Sequence, residues 1–214
     1  GKSAQWCCHR ANCEWSGGTS TDGRSRASRG TDSAVSNRRV AKPKLPAPED
    51  LQRIGPGEMT PAAAKWAEML KARGISLETA ERNGLAVQHV YSPASGGYVD
   101  ALCFPYMRDG ELINIKYRGP DKTFWQVKGA EKILYGLDDV VGEEEVILVE
   151  GEMDKLALEE AGFKNVVSVP DGAPGKVRDG PTPAPEEDKK YEYLWNCRAQ
   201  LDSISRFVIA ADSD

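Results

Sequence analysis

The stretch Val146-Ile147-Leu148-Val149-Glu150-Gly151-Glu152-Met153-Asp154-Lys155-Leu156-Ala157-Leu158 decides the fold. Its four opening apolar residues, three of them β-branched, predict a strand buried on both faces. Gly151 allows a sharp turn. Beyond it, Met153, Leu156, Ala157 and Ala161 recur at helical spacing, which predicts a helix with that face turned inward. Three carboxylates, Glu150, Glu152 and Asp154, fall at the carboxyl end of the strand and in the first helical turn. Open α/β sheets bind ligands at that edge. Acidic residues in a first turn also complement the helix dipole without any further role, so each of them alone carries little.

A second acidic strand end closes the chain. Phe207-Val208-Ile209-Ala210-Ala211 reads as another buried strand, and Asp212-Ser213-Asp214 follows at once. If the two strands are parallel neighbours, five carboxylates meet at one sheet edge. An all-oxygen donor set of this kind suits a hard cation, Mg²⁺ before Zn²⁺. Between them, Val166 to Val169 reads as a third buried strand. The strand–helix–strand order implies a right-handed parallel crossover, with the loop Pro170 to Pro174 on the acidic edge. A single helix is expected from about Glu186 to Ser203, with Tyr191, Leu194, Trp195 and Ala199 on one face.

Working outward toward the amino end, residues 85–127 change period. Leu85 to Tyr91, Tyr98 to Met107 and Leu112 to Arg118 are rich in Val, Ile and Tyr. Arg108-Asp109-Gly110 is a hairpin turn signal, so this is an antiparallel β subdomain. Alternation puts Asn114, Lys116 and Arg118 on one face, and Phe124, Trp125 and Lys128 follow. Cations interleaved with aromatic rings suit a nucleotide or single-stranded nucleic acid, and they also suit an ordinary solvated sheet face. Thr60-Pro61 opens a helix ending near Gly74, and Ser76 caps a short second one through about Arg82.

The chain has 214 residues and a formal net charge of −5, and the charge is unevenly spread. Residues 1–53 hold ten Lys and Arg against five Asp and Glu; the rest holds eighteen against twenty-eight. A basic arm could favour nucleic acid, or simply be solvated. Residues 19–58 are rich in Ser, Gly, Arg and Pro and read as a flexible linker. Within residues 1–18, Cys8 and Cys13 have zinc-knuckle spacing, bracketed by Trp6 and Trp15. One cysteine pair is half of a four-ligand site, so Zn²⁺ is expected only if an upstream pair completes it. Five unevenly spaced cysteines do not form a disulfide framework. No apolar run approaches a membrane span, no secretory or transit peptide opens the chain at Gly1, and no membrane partner is expected. The abrupt ends read as those of a fragment.

The ordered pieces Leu134-Tyr135-Gly136-Leu137, Val149-Glu150-Gly151-Glu152-Met153-Asp154-Lys155-Leu156-Ala157, Ser168-Val169-Pro170-Asp171-Gly172-Ala173-Pro174 and Val208-Ile209-Ala210-Ala211-Asp212 resemble the TOPRIM primases of the Twinkle and phage-type primase–helicase family. With Tyr193-Leu194-Trp195-Asn196-Cys197, they are most similar to the plant and algal organellar branch. The resemblance covers about residues 75–214. It implies a TOPRIM-like parallel sheet flanked by helices over 141–214, an α+β primase subdomain over 59–140, and half a zinc ribbon over 1–18.

The resemblance further implies synthesis of short RNA primers on single-stranded DNA from nucleoside triphosphates, with Mg²⁺ or Mn²⁺, in mitochondria or chloroplasts. Glu150 would be the central acidic residue, with Asp212 and Asp214 holding the metal and Glu152 and Asp154 completing the cluster through water. Lys116, Arg118 and Lys128 would face template and triphosphate. No Gly-x₄-Gly-Lys-Ser/Thr pattern occurs, so a replicative helicase or helicase domain is expected as a partner. Two other readings stand beside this one: a non-catalytic module that binds single-stranded DNA, and a TOPRIM nuclease.

Overall fold

The computed structural model describes residues 4–7, 16–19, 43–172, 180–181 and 183–211. The chain divides into two units, Gly1–Val40 and Ala41–Asp214. In the first, β1 (Ala4–Cys7) and β2 (Ser16–Thr19) pair antiparallel, Ala4 opposite Thr19 and Cys7 opposite Ser16. Cys8 and Cys13 lie outside the described residues.

The second unit begins inside the stretch that composition assigns to a linker. A 3-10 turn at Pro48–Asp50 leads into β3 (Gln52–Arg53), which pairs with a later strand, and Ile54 is wholly buried. Ile54, the partly buried Leu51 and Met59 and a two-residue ladder anchor this segment, too little signal to stand out among Pro and Gly. Helix α1 (Pro61–Ala72) starts as its chemistry requires: the Thr60 hydroxyl accepts from the Ala63 amide at 3.2 Å and proline occupies the first turn. Helix α2 (Leu77–Arg82) is capped by Ser76 in the same way.

Strands β4 (Ala86–Ser92), β5 (Gly97–Arg108), β6 (Glu111–Arg118) and β7 (Phe124–Gln126) extend β3 into a five-stranded antiparallel sheet in sequence order. At the β5–β6 turn both Asp109 and Gly110 have positive φ, 55° and 76°, the conformation that matches the twist of a two-residue hairpin. One face of this sheet buries Cys103, Ile115 and Tyr117; the other feeds the main core through Leu102, Phe104 and Tyr106.

The second sheet has three parallel strands. Central β8 (Glu145–Val149) leads through helix α3 (Glu152–Glu160) to β9 (Val166–Ser168). Helices α4 (Glu192–Asn196) and α5 (Arg198–Leu201) precede β10 (Arg206–Ala210), and the strand order is β10–β8–β9. Val146 and Val149 are buried, while Ile147 and Leu148 are only half-buried, so β8 is covered less completely than a two-sided strand. β10 is an edge strand, with Phe207 48% and Ile209 74% exposed. The main core is continuous across residue 140: Trp66, Leu70, Phe104, Tyr135, Val146, Leu156 and Val167 belong to one cluster. Among the described residues no helix is long and apolar enough to cross a membrane.

Further sequence expectations are corrected here; the strand over 207–211, expected to be buried, is mostly exposed, because among the described residues β10 is paired on one side alone. The helix expected over 186–203 is broken into a 3-10 turn, α4 and α5. Its inward residues are Tyr193 and Cys197, while Tyr191, Leu194 and Ala199 are exposed. The Cys197 thiol accepts the Leu134 amide at 3.3 Å, and that buried contact fixes the break. Helix α3 likewise does not turn Ala157 or Ala161 inward. Glu152, Lys155, Leu156 and Glu159 are its buried residues, because Glu152 pairs with Tyr106 and Lys116 of the antiparallel sheet, and Lys155 and Glu159 pair with Asp139 and Arg82.

Candidate active site

The carboxyl edge of β8 and β9 faces the end of the antiparallel sheet across a cleft of about 520 Å³. Glu150, Gly151 and Glu152 come from the β8–α3 turn, Pro170, Asp171 and Gly172 from the loop after β9, and Lys116, Phe124, Trp125 and Gln126 from β6 and β7; Lys132 completes the lining. The volume lies within the usual range for small-molecule sites.

Gly151 is extended, with φ −141°, so its value is not a left-handed turn. A β-carbon there would stand 3.0 Å from Asp154 Oδ2. Glycine lets the strand end pass close over the first helical turn and leaves room for that carboxylate, which is half-buried and has its own interactions.

Glu152 turns inward. It is 3% exposed; its Oε1 accepts the Tyr106 hydroxyl at 2.5 Å and the Lys116 ammonium at 2.8 Å. Burial and the adjacent carboxylate push the Tyr106 phenol well above its ordinary range, so it stays a donor. Lys116 is thus held at the cleft wall with its side chain 12% exposed. Its Nζ also lies 5.3 Å from the Phe124 ring centroid, and the Arg118 guanidinium lies 5.6 Å from the same centroid. Arg118 is 7% exposed, and burial, with Arg73 nearby, lowers its affinity for the proton. Phe124 presents a half-exposed ring to the cleft; Trp125, also in the lining, stacks on Tyr117 at 5.4 Å. Lys128 is exposed, and neither it nor Arg118 lines the cleft.

At the mouth, Lys132 Nζ lies 2.7 Å from Asp171 Oδ2, and Gln126 Nε2 donates to Asp171 Oδ1 at 2.9 Å and to the Pro170 carbonyl at 3.2 Å. Asp171 raises the Lys132 pKa above its usual value.

Beneath the site, Lys155 is wholly buried on α3. It pairs with Glu159 and Asp139 at 2.7 Å each and donates to Asn83. Arg82 joins Glu159 and Asp139 from α2. Burial alone would raise the Glu159 pKa, but hydrogen bonds from Arg82, Lys155 and Asn83 overcome it and hold it at about 2. This network ties α2, the turn after Gly136 and α3 into one body.

The parallel register sets Ala210 beside Val149, so Ala211 comes level with Glu150. Asp212 and Asp214 lie outside the described residues. Among the described residues no group of three metal-ligating side chains occurs. Among the described residues, the donor suited to a hard cation is the Glu150 carboxylate on the cleft wall.

The site therefore gathers Glu150, Glu152 and Lys116 at one cleft, with Asp154 in the adjoining helical turn. Sequence reasoning missed Tyr106, Gln126 and Lys132. Alternation in β7 could have paired Gln126 with Phe124. Lys132 sits in a loop with no periodicity, and no local signal marks it.

Residues 144–214 match the Toprim domain family. The whole chain is 42% identical to the chloroplastic/mitochondrial Twinkle homolog protein of Arabidopsis thaliana, of which it spans 27%, and 37% identical to that plant's primase homolog protein, of which it spans 57%. The chain thus covers a part of each relative's length. Among solved structures, it resembles the primase fragment of the bacteriophage T7 primase-helicase protein, with TM-score 0.51 and 24% identity over 68% of this chain and 53% of that one. It also resembles the DnaG primase catalytic domain bound to ssDNA, with TM-score 0.51 and 16% identity over 72% of this chain and 56% of that one. These two likenesses concern the fold.

Proposed function

The chain is a Toprim-domain protein related to the plant Twinkle and primase homologues, and from that premise we propose that it synthesises short RNA primers on single-stranded DNA. The observation that carries the reading is the cleft itself: the Glu150 carboxylate, two lysines and a half-exposed aromatic ring line one space of nucleotide size.

In this reaction the 3′-hydroxyl of one nucleotide attacks the α-phosphorus of a nucleoside triphosphate. A new phosphorus–oxygen bond forms, the hydroxyl gives its proton to water, the bond to the β-phosphate oxygen breaks, and pyrophosphate leaves with that electron pair. Mg²⁺ or Mn²⁺, held by Glu150, Asp212 and Asp214, would neutralise charge on the attacking and leaving oxygens. Lys116, fixed by Glu152 and Tyr106, offers a preorganised cation to a phosphate with little reorganisation. Phe124, flanked by Lys116 and Arg118, offers a stacking surface for a base. Exposed Lys128 serves the template backbone. Glu152 and Asp154 act on the metal only indirectly, Glu152 through its ion pair with Lys116. Zn²⁺ at Cys8 and Cys13 where an upstream cysteine pair completes the site, a helicase partner and a role in chloroplast or mitochondrial DNA replication complete the proposal; the matched plant relative named for those organelles supports the last.

The test is template-directed synthesis from ribonucleotides on single-stranded DNA with Mg²⁺, using the full-length protein that contains this chain. Glu150→Gln should abolish product while leaving the circular dichroism spectrum unchanged. Cleavage of the labelled DNA without nucleotides, lost in the same variant, would replace this reading with the nuclease one. Template binding without synthesis in the unmodified protein would leave a binding module.

A further inference from the structure

We infer that Lys132 is a triphosphate-binding residue of the cleft and that Asp171 occupies it until an anionic substrate arrives. The inference rests on the nucleotide-binding reading above and adds a residue pair to it.

Among the described residues the cleft lining contains two cations, Lys116 and Lys132, and they differ in kind. Lys116 is sunk in the wall: its side chain is 12% exposed, and its partner Glu152 is 4% exposed and also bound by Tyr106. That pair cannot open without leaving a buried charge uncompensated. Lys132 stands at the mouth in a pair whose side chains are 38% and 49% exposed. Such a pair is weakly held, because water screens both partners when they part. An incoming triphosphate carries more negative charge than one carboxylate and offers several acceptor oxygens, so it competes well for the ammonium.

Asp171 is itself aimed at this task. Gln126 grips its other oxygen at 2.9 Å and the neighbouring Pro170 carbonyl at 3.2 Å. The β7 strand thereby holds the carboxylate over the cleft, where it repels anions unless Lys132 neutralises it. Lys132 released by Asp171 would keep only the more distant charge of Glu192, so an incoming anion finds it largely uncompensated. Asp171 thus raises the threshold for anion entry, and Lys132 supplies the attraction once the pair has opened.

The test measures binding of the fluorescent nucleotide mant-ATP, and of inorganic triphosphate by competition, to the full-length protein. Lys132→Ala should weaken both by about tenfold, the loss of one charge-assisted contact. Asp171→Asn should tighten both several-fold, and should tighten them in the Lys132→Ala background as well, where the carboxylate no longer has Lys132 to neutralise it. Mant-adenosine, which lacks phosphates, should bind all variants alike. Unchanged triphosphate binding in Lys132→Ala, or weaker binding in Asp171→Asn, overturns the inference, as does a failure of the unmodified protein to bind mant-ATP at millimolar concentration. The outcomes separate from those of the primer-synthesis reading. Protein that makes primers with Lys132→Ala kinetics unchanged refutes the inference alone. Protein that binds with the expected shifts and makes no primer refutes synthesis alone.

Discussion

Glu159→Gln should destabilise the protein by about 3 kcal/mol at neutral pH, and most of that loss should vanish in acid. The carboxyl is held at about 2 against an ordinary 4.5. At about 1.4 kcal/mol per tenfold change in proton affinity, that difference corresponds to about 3 kcal/mol. A second estimate agrees. Removing the charge leaves wholly buried Lys155 short of one of its two carboxylates, and breaking a buried pair costs roughly 3–5 kcal/mol. The folded state binds this proton more weakly than the unfolded chain does. The stabilisation is therefore complete above about pH 4.5 and is lost as pH falls through about 2. Urea unfolding of both proteins at pH 7, 4 and 3 should show a gap of about 3 kcal/mol shrinking to about 1 at pH 3. A gap below 1 kcal/mol at pH 7, or one that does not shrink on acidification, would refute the reasoning that this network binds α2 to α3.

Phe124→Ala should weaken binding of single-stranded DNA by about tenfold, within the roughly 1–3 kcal/mol of one stacked base, and Phe124→Trp should retain it; fluorescence anisotropy with a labelled oligonucleotide reads both. Gly136→Ala should lower the unfolding midpoint sharply, because Gly136 has φ +78° and an added β-carbon would meet the Val166 carbonyl and the Lys155 side chain at 2.9 Å each; a loss of less than about 1 kcal/mol in a thermal melt would contradict the strain argument.

Local pattern revealed the parts of this molecule whose causes are local. The Thr60-Pro61 and Ser76 helix starts, the Asp109-Gly110 turn and the β8–Gly151–α3 unit each follow from residues within a few positions of one another. Glu150 was legible for the same reason: a carboxylate directly follows an apolar strand. Alternation also put Lys116 on the correct face. Its partner was hidden, because Glu152 lies 36 residues away in the first turn of helix α3. The inward face of α3 was misread because periodicity equates buried with apolar, and here Lys155 and Glu159 are buried together as a pair. The break at Cys197 carries no Gly or Pro to announce it; it depends on a contact with Leu134, 63 positions back. Lys132 depends on tertiary placement alone.

The exposed edge of β10 has a practical consequence. A strand at the rim of a sheet offers unpaired amides and carbonyls to any extended segment that meets it, and Phe207 and Ile209 make that rim apolar. Arg206, paired with Glu145 at 2.7 Å, is the charged gatekeeper at its amino end. A lysine in place of Ile209, which is 74% exposed, would blunt the rim at little cost to folding.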